Sequence, residues 1–425
     1  MRIEYYYSAC IKIITPNLKI LCDPWFTEGI YDGSWYHFPK VEDPIGTIGD
    51  VDYVYISHIH PDHYDPIFLR KYFEKFGPKK IIIADWHLNY LSHSLKRDGF
   101  DYEIIHRDKA ILNGKTSINI IPQEGKSKSD LDSILIVESG ESESYRCVVN
   151  ANDTIFDEDT FVAIENIISK IDLLMLSYTG AGPYPQTFYE LDDPNLPTQA
   201  QKKKTEFFER YKNTVSRLKP KFTLPFAGKY ILGGSLSSLN SFRGVSDPLE
   251  VTLFDDKALV PLDMGGYITT DGAAPEQLRR ELYPENLYMQ RLNEVSSEKF
   301  PYELEISNSF VEKVNFQKLL EKAYLKARAM SECDVDYYFC FSLKGNRHLI
   351  MNANASAENG CIIANYGEKL PKNYTLISVD SRYLLGLLLG VYHWDNARIG
   401  SHVKTRRIGT EYYRPAEVFL NFLQL

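Results

Sequence analysis

Apolar runs that alternate with amphipathic stretches predict strands and helices in the first part of the chain. The runs that are typical of strands are short, rich in β-branched and aromatic residues, and bounded by turn residues. They lie at residues 3–7, 10–14, 18–22, 51–56 and 80–84. Residues 66–77 have helical spacing, with Asp65 suited to the N-cap, Pro66 to the first turn and Gly77 to the end. This order of elements predicts an α/β fold.

Further strands and helices follow the first helices. A second helical stretch ends near Lys96, and turn residues at Asn113–Gly114 and at Gly125 separate later β-rich runs. Those runs and the buried strand after them lie at residues 117–121, 133–138, 146–150 and 172–177. Helices are predicted within residues 153–170 and 194–220. We expect the lysines at 202–204 to form a solvated face, with attraction of an anionic substrate as the alternative.

The composition changes after Tyr267, where a polar, proline-bearing stretch suggests a boundary. We therefore expect a first region at residues 1–267, with a helical insertion at about 194–220, and a C-terminal α+β region at 268–425. The second region should hold a long amphipathic helix at 308–331 and a buried helix at 378–391. Its strands should lie at 335–343, 348–352 and 360–364.

The candidate chemistry is concentrated in the loop after the strand at 51–56. Three of the ten histidines, His58, His60 and His63, fall within six residues, and Asp62 lies between the last two. Imidazole and carboxylate groups on one short loop are the ligands that transition metals prefer. His58 and His60 can converge on one ion, while Asp62 and His63 can face a second.

This H-x-H-x-D-H pattern is the signature of the metallo-β-lactamase superfamily, which the chain therefore resembles. The resemblance implies a four-layer αββα sandwich with the metal site at one edge of its two sheets. It also implies two divalent metal ions, with Asp62 either orienting the attacking water or binding the second metal. A loop of satisfied surface histidines is the alternative explanation of the pattern.

The chain departs from the superfamily plan because no histidine lies between His106 and His348. The two downstream histidine ligands are therefore missing, and carboxylates must replace them. Asp132 or Asp130 is suited to the first position, and Asp153 to the position of the bridging aspartate. Fewer imidazoles and more carboxylates make a harder site, which favours iron or manganese, although zinc remains an option. Lys229 stands at the last position and could hold a substrate anion.

The segment from Leu21 to Gly29 resembles the "DPW" segment of many superfamily members. In that family the aspartate, here Asp23, braces the metal loop, and the aromatic residues line its mouth. We expect substrate contacts at several further residues near predicted strand ends, each with a plain packing, turn or capping role as the alternative. They are Trp25, Trp35, His87, Tyr178 and Tyr184.

Composition limits the class of protein further. The formal net charge of −9 argues against a general nucleic-acid binder. Six dispersed cysteines with no C-x-x-C pair suggest a reducing compartment. The absence of an apolar run of membrane-spanning length, and of a signal segment at the start of the sequence, predicts a cytoplasmic address without membrane contact.

A second resemblance covers more of the chain. The DPW segment, the metal loop, residues 178–185, residues 225–228 and residues 393–400 together resemble the metallo-β-lactamase-like part of CMP-N-acetylneuraminate hydroxylase and its bacterial relatives. That family pairs this part with a Rieske iron–sulfur domain, for which the sequence contains no C-x-H and C-x-x-H ligand set. The resemblance therefore supports an iron-leaning site but does not transfer sialic-acid hydroxylation.

Three functions remain open at this point. The first is a binuclear hydrolase that acts on an ester-, thioester-, amide- or phosphate-type bond of a polar metabolite, perhaps nucleotide- or sugar-linked. The second is a non-heme iron oxygenase or oxidoreductase that takes electrons from a separate protein. The third is a binding module with a partial metal site. A small-molecule substrate is the partner that we expect, and a homodimer is a further option.

Overall fold

The computed structural model describes residues 1–107, 110–124, 131–343, 347–358, 360–365 and 370–425. Within these ranges the chain forms three main sheets and a set of helices that cover them. The strands are β1 (Arg2–Tyr7), β2 (Cys10–Ile14), β3 (Lys19–Cys22), β4 (Trp35–Tyr36), β5 (Tyr53–Tyr55), β6 (Lys80–Ala84), β7 (Tyr102–Ile105), β8 (Ile111–Asn113), β9 (Thr116–Glu124), β10 (Leu131–Ser139), β11 (Arg146–Asn150), β12 (Leu173–Ser177), β13 (Phe222–Phe226), β14 (Ile231–Leu232), β15 (Gly266–Thr269), β16 (Tyr338–Leu343), β17 (Arg347–Asn352), β18 (Cys361–Asn365), β19 (Tyr374–Ser378) and β20 (Lys404–Ile408).

The α-helices are numbered in the same way. They are α1 (Ile30–Gly33), α2 (Pro44–Ile48), α3 (Pro66–Phe76), α4 (Tyr90–Asp98), α5 (Glu158–Ile167), α6 (Leu196–Leu218), α7 (Glu285–Ser296), α8 (Pro301–Glu305), α9 (Asn308–Val311), α10 (Phe316–Ala329), α11 (Ser381–Leu388), α12 (Trp394–Ile399) and α13 (Arg414–Asn421). Short 3-10 helices at Ser142–Ser144, Gly234–Phe242, Pro248–Leu253 and Pro275–Gln277 complete the described elements. None of the helices in the described ranges combines the length and apolar composition needed to cross a bilayer.

Two large sheets form the first part of the molecule. The seven-stranded sheet has the order β15-β1-β2-β3-β5-β6-β7, and the six-stranded sheet has the order β13-β12-β11-β10-β9-β8. The first sheet is parallel from β3 to β7 and antiparallel on the other side. Both sheets therefore mix the parallel strands of an α/β fold with antiparallel hairpins.

Alternating side chains of β10 show how the layers are arranged. Leu135 and Val137 join the core between the two sheets, together with residues such as Ile82 of β6. Ile134 and Ile136 point the other way, into a cluster that includes residues of α5 and α6. Helices α3 and α4 cover the outer face of the first sheet. The order helix, sheet, sheet, helix is the four-layer αββα sandwich expected from the sequence.

Helix α3 fixes the loop before it and confirms the predicted capping residues. The Asp65 carboxylate accepts a hydrogen bond from the Phe68 amide at 2.9 Å, as an N-cap does. It also accepts from the amides of Phe26 (3.0 Å) and Thr27 (2.7 Å). One buried carboxylate thereby joins the metal loop to the DPW segment. Gly77 ends the helix with a φ of +79°, which favours glycine.

The C-terminal region forms its own five-stranded sheet, with the order β18-β17-β16-β19-β20. Helices α10, α11, α12 and α13 pack on it around a separate core. The predicted boundary at residue 267 is a position within β15, which pairs with β1, and it stays a prediction. Ordered contacts join this region to the sandwich, among them a hydrogen bond between the His402 ring and the Tyr31 carbonyl at 3.0 Å.

The prediction of one long helix at 308–331 was wrong. The chain forms α9 and α10 instead, with a break at residues 312–315. The Asn315 side chain accepts a hydrogen bond from the Lys318 amide at 3.1 Å and starts the second helix as its N-cap. Asparagine competes for backbone groups in this way, so it favours a helix start over a helix interior. Phe310, an apolar residue of α9, is exposed.

The sandwich core should be sensitive to lost volume at Ile82. This side chain is fully buried between the sheets, so Ile82→Ala removes packed atoms and leaves a cavity. We expect the free energy of unfolding to fall by about 2–5 kcal/mol. Ile67→Ala, at a half-exposed position of α3, is the control and should change it by less than about 0.5 kcal/mol. Guanidinium denaturation measures both, and equal effects would contradict the assigned core.

Candidate metal centre

The histidine loop begins where β5 ends, at the carboxyl edge of the parallel strands. Here His58 Nε2 and His60 Nδ1 lie 2.8 Å apart, so one nitrogen of each ring points at the same place. On its other side, His58 Nδ1 lies 2.9 Å from the Ser57 hydroxyl. The two nitrogen atoms that face each other are the pair that a shared metal ion would use.

His63 lies at the centre of a group of carboxylates. Its Nδ1 is 3.1 Å from Asp23 Oδ2, and Asp23 Oδ1 accepts a hydrogen bond from the Ser57 amide at 2.7 Å. Its Nε2 is 3.5 Å from both Asp62 Oδ2 and Asp153 Oδ2. Asp23 therefore lies where the expected bracing role requires, and the other ring nitrogen faces the two candidate ligands.

The two carboxylate oxygens of Asp62 have different neighbours. Oδ1 accepts a hydrogen bond from the Tyr31 hydroxyl at 2.5 Å, while Oδ2 faces His63. Asp62 is buried, so the hydroxyl helps to offset the cost of taking the carboxylate out of water. Burial, and next the Asp62 charge, hold the pKa of Tyr31 well above its ordinary value, which keeps the phenol a hydrogen-bond donor.

Asp132 approaches His58 from the Nδ1 side. Its Oδ1 lies 3.5 Å from that nitrogen, and burial together with the Asp153 charge raises the pKa of Asp132 to about 8. This position lies on the ring edge opposite the nitrogen that meets His60. Metal binding by Asp132 stays a prediction, and Asp130, the other candidate ligand, lies outside the described residues.

A carboxylate from the C-terminal region completes the centre. Asp395 of α12 places Oδ2 3.2 Å from His60 Nε2, the nitrogen that faces away from His58. Its other oxygen accepts a hydrogen bond from Arg398 at 3.0 Å, and Arg398 donates to Glu417 at 2.8 Å. A carboxylate on the outer nitrogen of a metal-binding imidazole fixes the tautomer and orientation of the ring.

The three histidines of the centre differ in the direction in which their surroundings shift the pKa. Burial and the neighbouring His63 hold the pKa of His58 well below its ordinary value. Burial would also lower the pKa of His63, but Asp62, Asp23 and Asp153 outweigh it and raise that pKa well above the ordinary value. Burial would lower the pKa of His60 as well, and the hydrogen bond with Asp395 reverses the shift.

The residues fit a metal ion. Ligand atoms of His58, His63 and Asp153 all lie within 4.8 Å of one another. His63 Nε2 is buried and makes no hydrogen bond within the described residues, although a buried polar atom ordinarily has a partner. Imidazole nitrogens with carboxylate oxygens suit zinc, iron or manganese. The donor set therefore supports a metal site, with His60, Asp62 and Asp132 as the further candidate ligands.

The predicted substrate contacts have varied surroundings. Trp25 and Trp35 are almost fully buried beside the loop, and the Trp35 ring stacks on Tyr230 with centroids 3.3 Å apart. Tyr178 is buried, and its hydroxyl has no hydrogen-bond partner in the described part of the chain. The Tyr184 hydroxyl donates to Gln199 at 2.5 Å. Their contact with a substrate stays a prediction.

The two remaining candidates lie in more polar surroundings. His87 is exposed before α4. Lys229 forms an ion pair with Asp263 at 2.6 Å and is largely buried. A lysine that already has a carboxylate partner is less free to hold a substrate anion, and that role of Lys229 stays a prediction.

Sequence reasoning did not identify Tyr31 or Asp395 as site residues. Asp395 lies in the 393–400 segment, which is part of the second family resemblance. That resemblance was the sequence feature that could have pointed to Asp395 as a site residue. Tyr31 gave no signal, because its role depends on a left-handed turn with φ of +51° that aims its ring at the loop. Both contacts join residues far apart in sequence.

The first part of the chain matches a known family. Residues 2–143 match the model described as the β-lactamase superfamily domain. The match includes the histidine loop and most of the first sheet. The resemblance to the metallo-β-lactamase superfamily and its α/β sandwich is confirmed for this part of the chain.

Individual proteins extend the comparison. A Rieske 2Fe-2S iron–sulfur protein of Mycolicibacterium smegmatis is 29% identical over 247 residues, which are 55% of this chain and 44% of that protein. The CMP-N-acetylneuraminic acid hydroxylase of Asterias rubens is 34% identical over 65 residues, 15% of this chain and 10% of that protein. The chain thus spans less than half the length of these relatives. An isothiocyanate hydrolase from Delia radicum gut bacteria aligns with a TM-score of 0.45 at 14% identity, over 63% of this chain and 99% of that one.

Proposed function

We propose that this chain, whose residues 2–143 match the β-lactamase superfamily domain, is a binuclear metal-dependent hydrolase of a polar metabolite. The observation that carries the proposal is the convergence of ring nitrogens and carboxylates on one buried point. His58 meets His60 at 2.8 Å, and His63 faces Asp153 at 3.5 Å. These contacts support a proposal in which the ligands are shared between two ions.

The residues of the centre have separate roles in this proposal. His58 and His60 would hold one ion, and Asp62, His63 and Asp153 the second. When bound, the ions would lower the pKa of a water molecule and polarise the bond that is cleaved. Tyr31 keeps Asp62 oriented through its hydroxyl hydrogen bond. Asp23 and Asp395 contact one nitrogen each of His63 and His60, which would leave the other nitrogen of each ring for an ion.

Metal analysis combined with activity tests this function. Protein purified without added metal should contain about two zinc, iron or manganese ions per chain. Chelation should abolish hydrolysis of ester, thioester, amide and phosphodiester substrates, and the same metal should restore it. A metal content below one ion per chain that does not change in His60→Ala would contradict an enzyme of either kind and support a binding module.

A second candidate function is a non-heme iron oxygenase with a separate electron donor. Two findings favour it: the similarity to the Mycolicibacterium smegmatis protein named as a Rieske iron–sulfur protein, and the carboxylates that surround His60 and His63. Oxygen consumption separates the two candidates. Reductant-dependent uptake by an iron-loaded protein, with no hydrolysis of any substrate tested, would replace the first proposal by the second.

A further inference from the structure

Two basic side chains are buried within reach of each other's charge. Lys203 of α6 is 7% exposed, and Arg243, at the end of the 3-10 helix Gly234–Phe242, is 4% exposed. Among the residues that the structure describes, neither forms an ion pair with a carboxylate. Lys202, the neighbour of Lys203, is 67% exposed. The expectation of a solvated face for all three lysines was therefore wrong for Lys203, because α6 turns it inward.

The nearby acids already have other partners. Asp247 accepts two hydrogen bonds from Arg279, and Glu250 pairs with Lys204. Neither carboxylate is available to neutralise Arg243. Burying a charge without a partner is destabilising, so a pair of like charges is expected to have a counter-ion.

Several donors of the two cations remain unused. The Arg243 guanidinium donates from Nη2 to the Tyr230 carbonyl at 2.8 Å, while Nε and Nη1 have no hydrogen-bond partner in the described ranges. Lys203 Nζ donates to the Tyr184 carbonyl at 2.8 Å, and an ammonium group has three donors. Burial and the Arg243 charge lower the pKa of Lys203 to about 7.

A chain of aromatic contacts connects Arg243 to the metal loop. Its guanidinium carbon lies 4.1 Å from the centroid of the Tyr230 ring, which stacks on Trp35. The Trp35 ring lies 4.4 Å from that of Tyr31, and Tyr31 donates to Asp62. Through these buried rings, Arg243 is linked by direct contacts to a residue of the metal centre.

We infer that Lys203 and Arg243 bind an anionic group of the substrate, a phosphate or a carboxylate. A guanidinium with two nitrogen atoms that lack a partner in the described residues, and an ammonium group that uses one of its three donors there, suit the oxygen atoms of either group. The anion would supply the missing counter-charge for both side chains. The assignment to the substrate rests on the proposed function, whereas anion binding itself does not.

Sulfate is the probe for this site, because it is a dianion at every pH of interest. Saturable sulfate binding should raise the melting temperature of the wild-type protein above that in sodium chloride of equal ionic strength. Lys203→Gln and Arg243→Gln should each weaken sulfate binding by about 10-fold or more, the loss of one charge-assisted hydrogen bond. Lys202→Gln and Arg210→Gln, at exposed positions of α6, are the matched controls and should bind as the wild type does.

The pH dependence gives a second readout. Sulfate affinity should fall as the pH rises through about 7, because Lys203 then loses its proton. Arg243 stays charged, and Tyr184 meets Lys203 with a carbonyl group, so neither titrates there. This dependence should disappear in Lys203→Arg, which keeps its charge. If Lys203 had only a structural role, sulfate affinity would not depend on whether Lys203 is protonated.

Each outcome bears on the site. Sulfate binding that persists in both glutamine variants, or a wild type that does not respond to sulfate, would overturn the inference. If a glutamine variant does not fold, Arg243→Lys should still weaken binding, because the guanidinium geometry is lost.

Measurement of sulfate binding after chelation excludes binding of sulfate at the metals. Inorganic phosphate and acetate then distinguish the two anion classes. Sulfate binding without any hydrolysis would preserve this site and remove the proposed reaction.

Discussion

Replacing His58 by alanine is expected to remove the first metal ion and abolish activity. His58 is buried, and its Nε2 meets His60 Nδ1 at 2.8 Å, so the variant loses half of that nitrogen pair. Loss of an outer partner of a ligand costs about 10–100-fold in metal affinity, and loss of a direct ligand should cost more than this. Metal content per chain after dialysis, together with kcat, measures the effect.

His93→Ala is the matched control for His58→Ala. His93 is exposed on α4, away from the loop, and its removal should leave the metal content and kcat unchanged. Metal-free His58→Ala should melt at a lower temperature than metal-free His93→Ala, because it loses a buried ring that contacts Ser57 and His60, so metal content is compared between folded proteins. Full metal content and activity in His58→Ala would exclude the proposed centre.

The elements that the sequence predicted best are those whose signals are local. Helix α3 has its N-cap, its first-turn proline and its terminal glycine within one continuous segment, and the observed bounds match it. The failed prediction at 308–331 had the same kind of apolar periodicity, which continued across Asn315. Periodicity alone does not decide whether a side chain will cap a new helix or stay within an old one.

The candidate site likewise has residues that a local pattern predicts and residues that it does not. The histidine loop could be predicted because its candidate ligands lie within six residues of one another. Asp153 was inferred from its place after a strand, and the structure brings it to His63. Asp395 joins His60 across 335 residues, and no local pattern specifies that contact. The inward turn of Lys203 likewise depends on how α6 packs, which a run of three lysines does not reveal.

Asp395→Asn is expected to lower metal affinity by about 10–100-fold without unfolding the protein. Arg398 donates to one oxygen of Asp395, and it is itself held by Glu417 and Asn421. This arrangement should keep the amide oxygen of the variant toward Arg398 and turn the amide nitrogen toward His60. An amide nitrogen does not accept the proton of Nε2–H, so His60 would favour the tautomer with its proton on Nδ1. Asparagine in place of an orienting aspartate has this effect on imidazoles.

A change of tautomer at His60 should be seen first in the affinity for metal. Metal affinity, measured by competition with a chelating dye, should fall in Asp395→Asn and recover in part in Asp395→Glu, which restores an acceptor. Asp256→Asn, at an exposed position, is the control and should bind metal as the wild type does. A variant that loses kcat but keeps its metal affinity would assign Asp395 to the substrate instead. A retained affinity and a retained kcat would show that His60 is oriented by the loop alone, and that the C-terminal region is not part of the metal centre.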